Sequence, residues 1–202
     1  MIATQHDEQW IINAISQQNW KDLVANIQPS LIAKILTFEE SLNIAYKLLY
    51  NEEWEEGYQV FATQLLYSIR QLNQDKWASD WRYDAFLGTA CDIILDYNER
   101  FKFYNLAYNA AQDSPAELGF LLAKCIIAPG KSYINEAEAI KILEESLSKK
   151  PFIEGVEFLV NLYKDSDYSN IERKSYWENI LDKLKRHNIY ACPINPPEIQ
   201  ID

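Results

Sequence analysis

Glycine and proline are scarce in this chain, 5 and 7 of 202 residues, about half their usual share. Phosphate-cradling loops and closely spaced β-turns depend on them, so their scarcity argues against Gly-rich nucleotide folds and turn-rich all-β folds. Histidine is rarer still, with His6 and His187 alone. His6 lies near the start, and His187 falls at an expected helix end, where a cation complements the dipole. Neither has cysteine or histidine neighbours, so no metal site is expected, and no cofactor. The three cysteines, Cys91, Cys125 and Cys192, are odd in number and widely spaced, which fits a reducing compartment. No run approaches the roughly 20 apolar residues of a membrane span. The opening residues lack the basic-then-apolar pattern of a signal peptide, so the expected location is the cytoplasm.

Positive charge is also in short supply. Lys plus Arg number 19 against 30 Asp plus Glu, a formal net charge of −11. Such a chain repels phosphate backbones and anionic membranes, so neither nucleic acid nor a membrane is an expected partner. The basic clusters, Lys149-Lys150 and Lys183, Lys185, Arg186, fall near expected helix ends and serve the dipole. A basic protein partner is favoured, because opposite charge accelerates encounter.

Apolar residues, at 48%, suffice for a folded core. Their spacing is helical. Phe86, Leu87, Ala90, Cys91, Ile94 and Leu95 form one stripe, and Leu118, Leu121, Leu122, Cys125 and Ile126 repeat it. Further stripes are Leu42, Ala45, Tyr46, Leu49; Ile140, Leu143, Leu147; Val156, Leu159, Val160, Tyr163; and Trp177, Ile180, Leu181, Leu184. Val60, Phe61, Gln64, Leu65 and Ile69 make a less regular one. Leu87, Cys91, Ile94, Leu118, Leu122, Ile140, Leu143, Leu159 and Ile180 are the expected core. Helix starts are marked at Thr37-Phe38-Glu39-Glu40, Ser114-Pro115-Ala116-Glu117, Asn135-Glu136-Ala137-Glu138 and Ser169-Asn170-Ile171-Glu172. Ala128-Pro129-Gly130 and Lys150-Pro151 are stops. The pattern predicts helices over about 7–17, 19–27, 30–36, 38–51, 54–73, 79–97, 99–112, 115–127, 135–149, 152–165 and 170–187. Alternating strand residues are not found, so the fold class expected is all-α.

The later segments pair. First helices begin near Tyr83, Pro115 and Phe152, and second helices near Glu99, Asn135 and Ile171. The first helices are therefore 32 and 37 residues apart by those numbers, close to the period of helix–turn–helix solenoids. Within this frame Ala116-Glu117-Leu118-Gly119-Phe120-Leu121, followed by Glu136-Ala137-Glu138-Ala139-Ile140-Lys141-Ile142-Leu143, resembles a Sel1-like repeat, a relative of the tetratricopeptide repeat. A Leu-Gly pair in the first helix and an Ala-rich second helix carry the resemblance. Phe86-Leu87-Gly88 looks like the same pair one repeat earlier. Leu159-Val160 stands where the pair belongs in the last repeat and departs from it. The resemblance covers about 81–187 and implies antiparallel helix pairs in a short array; an irregular helical bundle is the alternative. The expected organisation is an N-terminal helical region over residues 1–80, packed on the repeats 81–187. An extended Pro-containing tail, 188–202, is expected to leave the helical body, and all three belong to one structural unit.

Motifs for chemistry fail on spacing. Gly130-Lys131-Ser132 has Cys125 where a phosphate loop requires its first glycine. Asp165-Ser166-Asp167-Tyr168-Ser169 opens like a calcium loop, but Asn170 and Tyr176 replace the required glycine and glutamate. Cys91 and Cys125 lie on apolar stripes and read as core. Two groups remain. Glu52, Glu53, Glu55 and Glu56 surround Trp54; they read as a dipole-complementing helix start, a binding patch or a paired-carboxylate site. In the second, Asp80, Trp81, Tyr83 and Asp84 mix acids with aromatics suited either to an interface or to helix packing. Together the nine residues are the expected partner-binding site. The function expected is non-catalytic: an immunity protein that neutralises a basic toxin in the bacterial cytosol, or alternatively a general αα-repeat adaptor or chaperone.

Overall fold

The computed structural model describes residues 8–53, 57–113, 115–127, 135–165 and 170–199. Among them the regular structure is all α-helical, with twelve helices, most of them packed on a neighbour in sequence, while α3 and α7 pack mainly on α5. His6, Trp54, Glu55, Glu56, Ser114, the stop and turn at 128–132 and residues 166–169 of the acidic turn lie outside the described residues. The chain forms two compact units. One holds the described residues up to Asp96 and those from Asn195 on, and the other spans Tyr97–Ile194.

The first unit is built around one long helix. Its elements are α1 (Glu8–Ser16), α2 (Trp20–Asn26), α3 (Pro29–Ile35), α4 (Phe38–Leu49), α5 (Tyr58–Leu72), α6 (Gln74–Ala78) and α7 (Trp81–Ile93). α5 touches α2, α3, α4, α6 and α7, which is why its pattern is irregular. Phe61, Ala62, Leu65, Leu66 and Ile69 are buried, spread over more than one stripe. Val60 and Gln64, assigned to that stripe from the sequence, face outwards instead.

The start of α4 follows its sequence signal. The Thr37 hydroxyl accepts from the Glu40 N–H at 3.2 Å, and the Glu40 carboxylate accepts from the Thr37 N–H at 3.0 Å. This reciprocal cap satisfies two donors that a helix start leaves open. α6 was not expected, because five residues are too few to display a helical period. Just past the Ile94 cap of α7, Leu95 is exposed and has a φ of 62°. There the Asp96 N–H reaches back to the Cys91 carbonyl at 2.8 Å, a closure that usually calls for glycine.

The second unit comprises α8 (Tyr97–Ala110), α9 (Ala116–Ile127), α10 (Glu136–Lys149), α11 (Ile153–Asp165) and α12 (Ile171–His187). α8 packs on α9, α9 on α10, α10 on α11 and α11 on α12, with a further contact between α9 and α11. The start of α9 meets the end of α10, and Gly119 shows why the approach is close. A Cβ there would sit 2.1 Å from Ser146 Oγ and 2.7 Å from Ser146 Cβ, so the Leu118-Gly119 pair supplies one buried anchor and one vacancy for the neighbouring helix. In α11 the same vacancy lies at Gly155, whose Cβ would meet Leu147 Cδ2 at 2.8 Å. The sequence pattern places it five residues later, at Val160 of the Leu159-Val160 pair.

Asn135 caps α10 as expected, accepting from the Glu138 N–H at 3.1 Å. The cap of α12 is Asn170, which accepts from the Arg173 N–H at 3.0 Å, one residue later than a Ser169–Glu172 box requires.

Three further expectations change. The helix expected to begin near Tyr83 was paired with the one near Glu99, but α7 packs on α5 and α6 in the first unit, while α8 packs on α9 in the second. Ile94 and Ile180 are half-buried rather than core; Ile94 caps the end of α7, and Trp177 and Leu184 take the inner face of α12. The seven other expected core residues are buried. Finally, the segment after α12 is extended but does not leave the helical body. The Ile189 carbonyl accepts from the Ile153 N–H at 2.9 Å, and the Ala191 N–H donates to Glu154 at 3.1 Å.

Candidate functional site

The connection between α4 and α5 carries the first acidic group. α4 ends at Tyr50, whose half-exposed ring lies 4.8 Å from that of Tyr46. Asn51 organises the connection beyond it. Its side-chain oxygen accepts from the Glu53 N–H at 2.8 Å, and its carbonyl accepts from the Gln59 side chain at 2.8 Å. Glu52 and Glu53 are exposed. Among the described residues, the one hydrogen bond to the Glu53 carboxylate is from the Tyr58 hydroxyl at 3.3 Å.

α5 begins only at Tyr58, because Gly57 holds a φ of 72° that side chains rarely adopt. Its first turn contains no acidic residue. Glu52 and Glu53 therefore lie before the helix and outside its first turn, contrary to the helix start expected at 54. They remain as solvent-facing carboxylates beside Tyr50, an exposed aromatic absent from the expected site. An aromatic at a helix C-cap beside two glutamates was the available signal.

The second acidic group surrounds the start of α7. Asp80 is the N-cap: its carboxylate accepts from the Arg82 N–H at 2.9 Å and pairs with the Arg82 guanidinium at 2.6 Å. The guanidinium holds the Asp80 carboxyl below the usual aspartate range, against the opposing effect of partial burial. Trp81 is half-buried. Tyr83, expected at the surface, is 1% exposed and belongs to the core. Its ring packs edge-on against Phe38 at 5.2 Å and beside Trp77 at 5.5 Å, and its hydroxyl donates to Glu198. Burial, followed by this carboxylate, pushes the phenol pKa well up. Asp84 accepts from the Trp77 indole N–H at 2.8 Å and lies 3.4 Å from Arg70. It lines an open cleft of about 480 Å³ with Tyr67, Arg70, Gln71, Gln74 and Trp77.

The two groups stand at opposite ends of α5. Glu53 contacts Tyr58 in its first turn and Asp84 approaches Arg70 in its last, roughly 18 Å apart along the axis at 1.5 Å per residue. The arrangement offers solvent-facing carboxylates and aromatic surface at one end, and a cleft with a charge-paired wall at the other. Both suit recognition of a polar or basic surface. Among the described residues no three histidine, cysteine, aspartate or glutamate side chains converge as a metal site, and no helix is long and apolar enough to cross a membrane. Comparison with protein-family models, with curated proteins and with solved structures gives no match.

Proposed function

We propose that this protein binds and inactivates one basic protein partner in the bacterial cytosol, as an immunity protein does its toxin, with no turnover of its own. The observation that carries this reading is the solvent-facing pair Glu52 and Glu53 beside Tyr50, in a chain of net charge −11. Exposed carboxylates steer a cationic partner, and a neighbouring tyrosine supplies contact area at low entropic cost. Asp80 and Asp84 are held by internal partners and contribute field more than contact; Tyr83 presents no surface.

The test begins with copurification of one stoichiometric basic protein from source cells. Kinetics with that partner come next. Glu52→Gln combined with Glu53→Gln is expected to slow association severalfold and to flatten its dependence on salt. Unchanged association at low salt rejects this reading.

The second unit favours a different role. Its neighbouring helix pairs, the α9–α11 contact and the vacancies at Gly119 and Gly155 support a divergent Sel1-like or tetratricopeptide-like array serving as an adaptor or chaperone. An adaptor engages partners through the second unit, so cross-links would fall on α8 to α12 and leave Glu52 and Glu53 untouched.

A further inference from the structure

Residues 195–199 belong to the first unit, yet they join it in an unusual way. Among the described residues their backbone makes no hydrogen bond to any helix. The one backbone bond within them is internal, from the Ile199 N–H to the Pro196 carbonyl at 3.3 Å. Attachment rests on side chains. Pro196 is buried. The two oxygens of Glu198 are divided between two donors, the Tyr83 hydroxyl on one and the Lys76 ammonium, at 3.2 Å, on the other.

The seat is formed by helices with their own hydrogen bonds and packing. Tyr83 rests on Phe38 and Trp77, and Lys76 lies 5.3 Å above the Phe38 ring while also holding Glu39 at 3.1 Å. The seat has one unmet demand. The Tyr83 hydroxyl sits on a buried residue, donates to no other group among the described residues, and is costly to leave without an acceptor. A carboxylate carried on the turn that the Ile199–Pro196 bond closes meets that demand and the Lys76 charge together. Adjacent prolines lower the entropy lost when such a turn is ordered.

We propose that α4, α6 and α7 form a recognition groove for a Pro-Pro-Glu turn, which residues 195–199 fill in cis and from which a partner's segment of the same chemistry displaces them. This goes beyond the neutralisation reading: the groove takes an acidic segment, not a basic surface, and stands whether or not a basic partner exists.

The test uses the full chain carrying Glu198→Ala, with Glu198→Gln as a second host that keeps the shape of the side chain but loses its charge. The probe is the blocked peptide acetyl-INPPEI-amide, and the readout is the indole N–H signal of Trp77 in nitrogen-edited NMR. The peptide is expected to bind both variants and to return the indole signal towards its position in the unaltered chain. The unaltered chain should bind roughly tenfold more weakly, because its own segment competes at an effective concentration on the order of millimolar. A peptide with alanine in place of glutamate should not bind. The proposal is overturned if the alanine peptide binds as well as the glutamate one, or if the peptide binds neither variant more tightly than the unaltered chain.

Discussion

Glu144 in the second unit and Glu53 in the first are both glutamates close to aromatic side chains, and the structure uses them in opposite ways. One oxygen of Glu144 accepts from the Tyr163 hydroxyl at 2.6 Å, from Arg173 Nε at 2.8 Å and from the Trp177 indole at 3.1 Å. These donors tie α10 to α11 and α12. Burial alone would raise the Glu144 pKa, but Arg173, Tyr163 and Trp177 outweigh it and hold the carboxyl below the usual range. Glu53 is exposed and has one hydroxyl at 3.3 Å. A net charge of −11 counts the two alike, yet only the second kind is open to another molecule. Acidity becomes an argument about partners only after each carboxylate has been sorted by the donors already on it.

Removing acids one at a time should reproduce that order. Glu144→Ala leaves three donors without an acceptor and is expected to destabilise by about 2–3 kcal/mol in urea unfolding. It falls short of the loss at a fully buried pair because the side chain keeps 23% exposure. A loss below about 0.5 kcal/mol, the scale of an ordinary surface change, would erase the contrast with Glu53.

Glu144→Gln keeps the shape and removes the charge, and its cost should depend on pH. The folded-state pKa of Glu144 lies below the ordinary 4.5. The charge therefore stabilises fully above that value, and the advantage over glutamine should fade as pH falls through the folded pKa. At the alkaline end the Tyr163 phenol, raised to about 12 chiefly by burial and then by Glu144, holds its contribution below pH 10 and loses it as pH rises through 12. Unfolding curves for the parent and Glu144→Gln across these ranges measure both limbs.

Asp80 occupies the middle of the scale. As the N-cap of α7 it should cost about 1 kcal/mol when changed to alanine and a few tenths when changed to asparagine, which caps equally well. Thermal unfolding of both variants separates capping from the Arg82 ion pair, since asparagine keeps only the cap. Smallest of all, Glu52→Gln and Glu53→Gln should leave stability within about 0.5 kcal/mol. Any larger loss would move these residues from the surface to the frame.

What the sequence reveals depends on distance along the chain. Thr37 with Glu40 and Asn135 with Glu138 are three residues apart, so their caps can be read directly, as can the stripes of α9, α10 and α11. Tyr83 cannot be placed this way: its acceptor, Glu198, lies 115 residues away, and an aromatic between two aspartates looks the same whether it faces in or out. The donors on Glu144 are 19 to 33 residues distant and are hidden for the same reason. The helix start expected at 54 is displaced by one residue's backbone, because the left-handed Gly57 is the N-cap and α5 begins at Tyr58.

The division of the chain has a consequence for its synthesis. The second unit is one continuous stretch, whereas the first is interrupted after Asp96 and resumes only at Asn195. A ribosome adding 5–20 residues per second needs roughly 5–20 s for the intervening stretch of about 100 residues. During that interval the α4 to α7 helices have already emerged, and the Tyr83 hydroxyl waits for an acceptor not yet made. The nascent chain thus passes through a stage in which the second unit is being added while the first still lacks its last segment. Glu198 can reach Tyr83 only after the whole of the second unit has been synthesised.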